Sequence, residues 1–305
     1  MLAKALDRSG AAASVDLVDV PFFPQEDYQC GPAALATALD YSGLAVTPDE
    51  LGPRVYLPGK QGSLQVEMVA AVRRYDRIAY PIRPTLAALL AELQASRPVV
   101  VFQNLGLSKL PVWHYAVVVG YSTTDDTLVL RSGRNRRQTM SAYNFARTWD
   151  GGGKWALVIL RAGELPADDD PGRYLRAVAA KEAVSGPTGL MEAYGAAVRR
   201  WPDNPVARFG YANALQASSQ LGGAIEQYRI LVAEHPGQVA AMNNLADALN
   251  QQGCRAEALA LVDRALGAAA DTEPLRAVLE ETRREIISAT SDAPEPAACS
   301  ERGGR

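Results

Sequence analysis

Gln25-Glu26-Asp27-Tyr28-Gln29-Cys30-Gly31-Pro32-Ala33-Ala34-Leu35-Ala36-Thr37-Ala38-Leu39 is the stretch around which the first half of the chain organises. It reads as the start of a helix with a cysteine on its first turn. Proline is at home where a helix begins, because its missing N–H would have had no intrahelical partner there. Cys30 then stands where unpaired backbone N–H groups and the positive end of the helix dipole converge. A thiolate is stabilised at such a place, so the thiol is expected below its free value of about 8.5.

A nucleophile needs a base, and the chain has two histidines, His114 and His235. His235 precedes Pro236 in a repeat turn, which leaves His114. That residue opens His-Tyr-Ala-Val-Val-Val-Gly-Tyr, a buried strand rich in β-branched residues. A cysteine early on a helix and a histidine later on a strand follow the papain-like order. Gln25 with Cys30-Gly31-Pro32, followed by His114-Tyr115 and a Val-rich strand, resembles the bacteriocin-processing double-glycine peptidases over roughly residues 20–160. That resemblance implies Cys30 as nucleophile, His114 as general base and Gln25 as side-chain donor of the oxyanion hole, with Gln29 a second candidate donor. The family's third residue is an aspartate on the next strand. Here that place reads Leu128-Val129-Leu130-Arg131-Ser132-Gly133, without a carboxylate. Ser132 is the nearest equivalent and Asn135 lies beyond it. A neutral orienter fixes the imidazole tautomer but does not balance an imidazolium, so a weak ion pair is expected.

At 305 residues the chain is long for one core and divides naturally in two. A net charge of −3 with no polybasic arm argues against a nucleic-acid surface. Cys30, Cys254 and Cys299 are far apart, odd in number and without CxxC spacing, so neither a disulfide framework nor a zinc site is expected. No metal constellation or phosphate-binding glycine loop is found, and no cofactor is expected. No apolar run has the length of a signal peptide or a membrane span. The expected location is cytoplasmic, or the cell envelope if a signal segment is missing.

Residues 1–15 read as flexible, with a turn of helix possible at Leu2, Ala5 and Leu6, and Asp16 to Pro21 as an edge strand. An α+β domain spans 16–162, with N-terminal helices packed on an antiparallel sheet. Its first helix places Leu35 and Leu39 on one face and stops at Gly43. Thr47-Pro48-Asp49-Glu50 is a helix-start signature. Further helices follow Gly62-Ser63 and Thr85, with apolar stripes that read as core. From Pro98 the period changes, and strands are expected over 99–102, 115–121, 127–130 and 154–160. Asn104 to Val112 reads either as a plain surface loop or as a wall of the substrate groove. Arg131, Arg134, Arg136 and Arg137 read as a solvated hairpin tip or an acidic-peptide contact.

An acidic, proline-containing linker covers 163–170. Beyond it Pro202 and Pro236 are 34 residues apart, and Tyr194 and Tyr228 each precede them by eight. This register resembles the tetratricopeptide repeat, with two good units from about Pro205 and Val239, a degenerate one from Pro171 and a capping helix from Glu273 to Ile287. The helical domain is expected over 171–287, with a disordered tail from 288 to 305. The leading function is a cysteine peptidase acting on a peptide or protein substrate, for which the resemblance implies small residues such as glycine on the acyl side, with a protein partner on the repeats. The alternatives are a catalytically silent binding module and an amidase or transpeptidase using the same acyl-enzyme.

Overall fold

The apolar period shifts from helical to alternating near Pro98, and most of the sheet follows that point, although short strands also precede it and helices follow it. The computed structural model describes residues 1–6, 11–25, 29–60, 62–269, 274–289 and 299. The chain divides into two compact units, Met1–Ser185 and Gly186–Arg305.

In the first unit, α1 (Leu2–Ala5) and β1 (Ser14–Asp16) precede α2 (Cys30–Tyr41), followed by α3 (Pro48–Val55). A small ribbon, β2 (Tyr56–Leu57) with β3 (Gly62–Ser63), leads to α4 (Gln65–Arg74). Next come β4 (Ile78–Pro81), α5 (Leu86–Gln94), β5 (Val99–Asn104), β6 (Trp113–Ser122), β7 (Thr127–Ser132) and β8 (Asn135–Ser141). The unit ends with α6 (Ala142–Gly151), β9 (Ala156–Leu160) and α7 (Pro171–Ser185). The main sheet runs β4-β9-β5-β6-β7-β8 with β1 also on β6, and every pairing is antiparallel.

The caps act as their residues require. The Thr47 hydroxyl accepts the Glu50 N–H while the Glu50 carboxylate accepts the Thr47 N–H, and Pro48 occupies the first turn. α2 ends at Tyr41, and Gly43 takes the left-handed φ of +90° that closes such an end. Instead of burying one face, α2 is buried from Gly31 to Leu39, since four alanines let its neighbours approach on every side. Leu35, Leu39, Met68 and Val72 pack in one cluster with Val100, Val117 and Leu157 of the sheet, all fully buried. Each such side chain contributes roughly 1.5–3 kcal/mol by leaving water, and together they hold the first turn of α2 against β6.

Four features differ from expectation. The described part of 1–15 is structured: Leu2 is fully buried, its N–H and the terminal amine both bond Asp126, and β1 pairs with β6; residues 7–10 lie outside the described set. The stretch 163–170 is tied down, with Asp168 accepting from Tyr80 at 2.6 Å and Asp170 pairing Arg83 at 3.2 Å. α7 packs on β4 and α4, with Lys181 paired to Asp76 at 2.9 Å, so the division falls after Ser185. β8 escaped the pattern because it is a polar edge strand, mostly exposed on both faces.

The second unit consists of consecutive helices, each packed on the next: α8 (Met191–Arg200), α9 (Pro205–Ala217), α10 (Leu221–Glu234), α11 (Val239–Gln252), α12 (Arg255–Ala268) and α13 (Leu275–Ser288). Pro205 to Val239 and Leu221 to Arg255 are both steps of 34 residues. Ala212, Tyr228, Ala246 and Val262 are fully buried in its core. Cys254, buried at the head of α12, forms a disulfide with Cys299, their Cα atoms 5.3 Å apart. This overturns the reading of two unpaired cysteines, since a separation of 45 residues along the chain does not measure distance in space. The disordered tail expected over 288–305 lies outside the described residues apart from Ser288, Ala289 and Cys299.

Candidate active site

Cys30 is the first helical residue of α2 and carries a free thiol. The residue after it must be glycine for a packing reason: a Cβ at Gly31 would lie 2.3 Å from Ser63 Oγ and 2.6 Å from Ser63 Cβ. β3 therefore presses directly on the first turn of α2. Burial pushes the Cys30 thiol up, against N–H bonds to its sulfur from Tyr115, Gly31 and Cys30 itself, which pull it down. The depressed value expected of a helix N-terminus is not found, because desolvation outweighs the amides.

His114 is the second residue of β6 and pairs with Gln103 of β5. Its Nε2 lies 2.9 Å from Ser132 Oγ on β7, which leaves Nδ1 for proton transfer. Burial pulls the imidazole pKa down. Both groups are thus held neutral, and among the described residues no hydrogen bond joins Cys30 to His114. What links them is the amide of Tyr115, the residue after His114, which donates to the Cys30 sulfur.

Cys30, His114 and Gln25 line one cavity of about 680 Å³. The Gln25 side-chain amide makes only a long contact, 3.5 Å, to the Tyr115 carbonyl, while its backbone N–H donates to Gly133 at 3.1 Å. Gln29 caps α2 and is absent from the lining, so of the two candidate donors Gln25 faces the cavity. Residues 26–28 lie outside the described set. Ser132 is buried on the imidazole, whereas Asn135 is exposed at the start of β8 and meets Ser132 only through the strand ladder.

Other lining residues escaped the sequence reading. Ser63, read only as part of a helix start, lies in the wall with its hydroxyl buried and, among the described residues, without a hydrogen-bond partner, while its carbonyl accepts from the Tyr115 phenol at 3.1 Å. Phe102 and Trp113 stack at 5.2 Å and form an aromatic wall. The sequence placed Phe102 on a strand but left Trp113 outside the expected strands, and nothing in a β pattern says which residues stand at a strand's open end. The loop 104–112 contributes Val112 at its base. The basic cluster is not one feature: the Arg131 guanidinium is buried and donates to the carbonyls of Val18, Val20 and Arg136, and Arg137 pairs with Asp16.

A nucleophile candidate on a helix start, a histidine on the adjoining sheet and a glutamine beside them thus open onto one cleft. Residues 17–156 match the Peptidase_C39 like family. The chain also aligns with solved structures at low identity. One is described as a C39-like peptidase from Bacillus anthracis, 18% identical, covering 49% of this chain and 98% of that one, with a TM-score of 0.42. Another is a double-glycine-motif protease from an AMS/PCAT transporter in complex with the leader peptide, 20% identical, covering 47% and 91%, TM-score 0.35. A third is the peptidase domain of Streptococcus ComA, a bifunctional ABC transporter of a quorum-sensing pathway, 21% identical, covering 47% and 98%, TM-score 0.38. No curated protein matches the chain. No helix among the described residues is long and apolar enough to cross a membrane.

Proposed function

We propose that the C39-like domain hydrolyses a peptide bond, possible acyl-side residues being small ones such as glycine, through Cys30 and His114. The observation that carries this reading is that Cys30, His114 and Gln25 line one cavity with Ser132 on the far nitrogen of the imidazole. The Nε2–H donates to Ser132 Oγ, so the Nδ1 lone pair is the base. Substrate binding brings the thiol proton to Nδ1 as Sγ attacks the carbonyl carbon. The resulting oxyanion accepts from the Gln25 amide and the Cys30 backbone N–H. The C–N bond then breaks and the imidazolium returns its proton to the leaving amine. Water, deprotonated by His114, cleaves the thioester and restores the thiol. An amine in place of water gives a transpeptidase by the same route.

A second reading, a silent binding module, draws on a specific observation: both groups rest neutral, unbonded to each other, and the orienter carries no charge. Peptides with varied acyl-side residues, incubated with the wild-type chain, Cys30→Ala and His114→Ala, separate the two. Turnover lost in both variants, with a thioester mass trapped on Cys30, supports hydrolysis. Peptide bound by all three proteins and cleaved by none selects the silent module. The second unit, by its 34-residue steps, is proposed as a tetratricopeptide-like array that holds substrate or a protein partner. The Cys254–Cys299 bridge fits an oxidising compartment, and of the two locations read from sequence it favours the cell envelope.

A further inference from the structure

The connection between β5 and β6 is a finger whose tip carries largely exposed leucines. Leu107 and Leu110 at its tip are 68% and 73% exposed, and Val112 and Trp113 at its base are more than half exposed. The finger is nevertheless firmly built. Leu107 and Leu110 exchange both backbone hydrogen bonds at 3.1 Å, and Leu105 N–H donates to Val112 at 2.8 Å. Asn104 Oδ1 accepts from Gly106 and Val112, at 3.0 and 2.9 Å. A Cβ at Gly106 would lie 2.3 Å from the Leu110 carbonyl oxygen, so only glycine permits this fold-back. Pro111 has no N–H to satisfy, which leaves Ser108 and Lys109 at the turn as the finger's backbone donors without a partner among the described residues.

We propose that this finger docks the protein on an anionic phospholipid bilayer. Three observations select that partner. The tip stands outside the cleft: Val112 and Trp113 line the cleft but Leu107 and Leu110 do not, so a peptide lying there leaves the tip uncovered. The backbone N–H groups of Leu107 and Leu110 themselves are paired, so apolar surroundings cost these two residues little, whereas water gains nothing from the leucines. Exposed cations stand behind the tip. Strand register places the β7–β8 turn at the same end of the sheet, since Val117 pairs with Arg131 and Ser132 with Asn135. Arg134 and Arg136 on that turn are exposed and, like Lys109, have no ion-pair partner among the described residues. At about 3.3 Å per residue they sit behind the tip, at headgroup depth when the leucines enter the acyl boundary. A second copy is a poorer fit, because a few side chains fall short of the ~800 Å² per partner of a stable interface.

The proposal does not rest on the peptidase reading, since vesicle binding is measured without turnover. The full chain is co-sedimented with vesicles of phosphatidylcholine and phosphatidylglycerol in equal parts, and with phosphatidylcholine alone. Wild type is expected to bind the mixed vesicles, more weakly in high salt and on the neutral ones. Leu107→Asp with Leu110→Asp should lower partitioning about a hundredfold, and Arg134→Gln with Arg136→Gln about tenfold or more, with the thermal melt unchanged. Failure of wild type to sediment, or equal sedimentation of the aspartate variant, overturns the proposal. So does a loss of peptide cleavage in vesicle-free buffer on the leucine changes, which assigns the finger to substrate. A wild-type dimer that the same changes dissociate assigns it to a second copy and likewise overturns the proposal.

Discussion

Replacing Ser132 by aspartate puts back a charge where the chain has a hydroxyl. Its Oγ is 2.9 Å from His114 Nε2, and the residue is 8% exposed. Two unit charges about 4 Å apart interact by roughly 4 kcal/mol at an effective dielectric of 20. Desolvation of the new carboxylate removes part of that, leaving a rise in the His114 pKa of about 1–3 units. His114 now titrates below its ordinary value because it is buried. The base works only when neutral, so the acid limb of kcat/KM in the wild type lies below the usual histidine range. In Ser132→Asp that limb moves to higher pH by the same 1–3 units, while the plateau rate rises because the imidazolium formed on attack is balanced. Ser132→Ala loses one neutral hydrogen bond worth about 0.5–1.5 kcal/mol, and the plateau falls about two- to tenfold. The assay is the pH profile of peptide cleavage for the three proteins, with a thermal melt of each as control. A folded Ser132→Asp protein whose acid limb coincides with that of wild type refutes the view that Ser132 acts on the imidazole.

Three further outcomes follow from the same geometry. Gly31→Ala drives a methyl into Ser63 and should cost about 1–3 kcal/mol, read as a lowered denaturation midpoint. Ser63→Gly in the same chain should restore most of that loss, whereas Ser63→Ala alone, its hydroxyl making no hydrogen bond among the described residues, should leave stability within about 0.5 kcal/mol; additive losses in the double variant would show that the two side chains do not meet. Under non-reducing conditions one thiol per chain should react with iodoacetamide, and its rate should climb only above the pH range of an ordinary cysteine, because burial raises the Cys30 pKa; a plateau reached below pH 8 contradicts the neutral resting pair. Cys299→Ser opens the bridge across 45 residues and should destabilise the helical unit by up to about 4 kcal/mol, and peptide mapping without reductant should recover the Cys254–Cys299 pair from wild type.

The sequence by itself determined where several helices begin and end and that most of the sheet lies beyond Pro98. Caps such as Thr47 with Glu50, stops such as Gly43 and the change of period at Pro98 are local devices, and each acts within a turn or two of where it stands. It also singled out Cys30, His114 and Ser132, because only two histidines were available and the strand after His114 lacks a carboxylate. The tertiary structure alone decided the rest, since burial and proximity are sums over residues distant in the chain. The helix start at Cys30 spoke for a low thiol pKa, and the dry wall packed around it reversed the sign. Arg131 looked like part of a solvated cluster until β7 placed it beneath the carbonyls of residues 18 and 20. The bond between Cys254 and Cys299, the buried hydroxyl of Ser63 over Gly31 and the bare leucines beyond the cleft have no local pattern to announce them, because each depends on what the fold brings near and what it leaves uncovered.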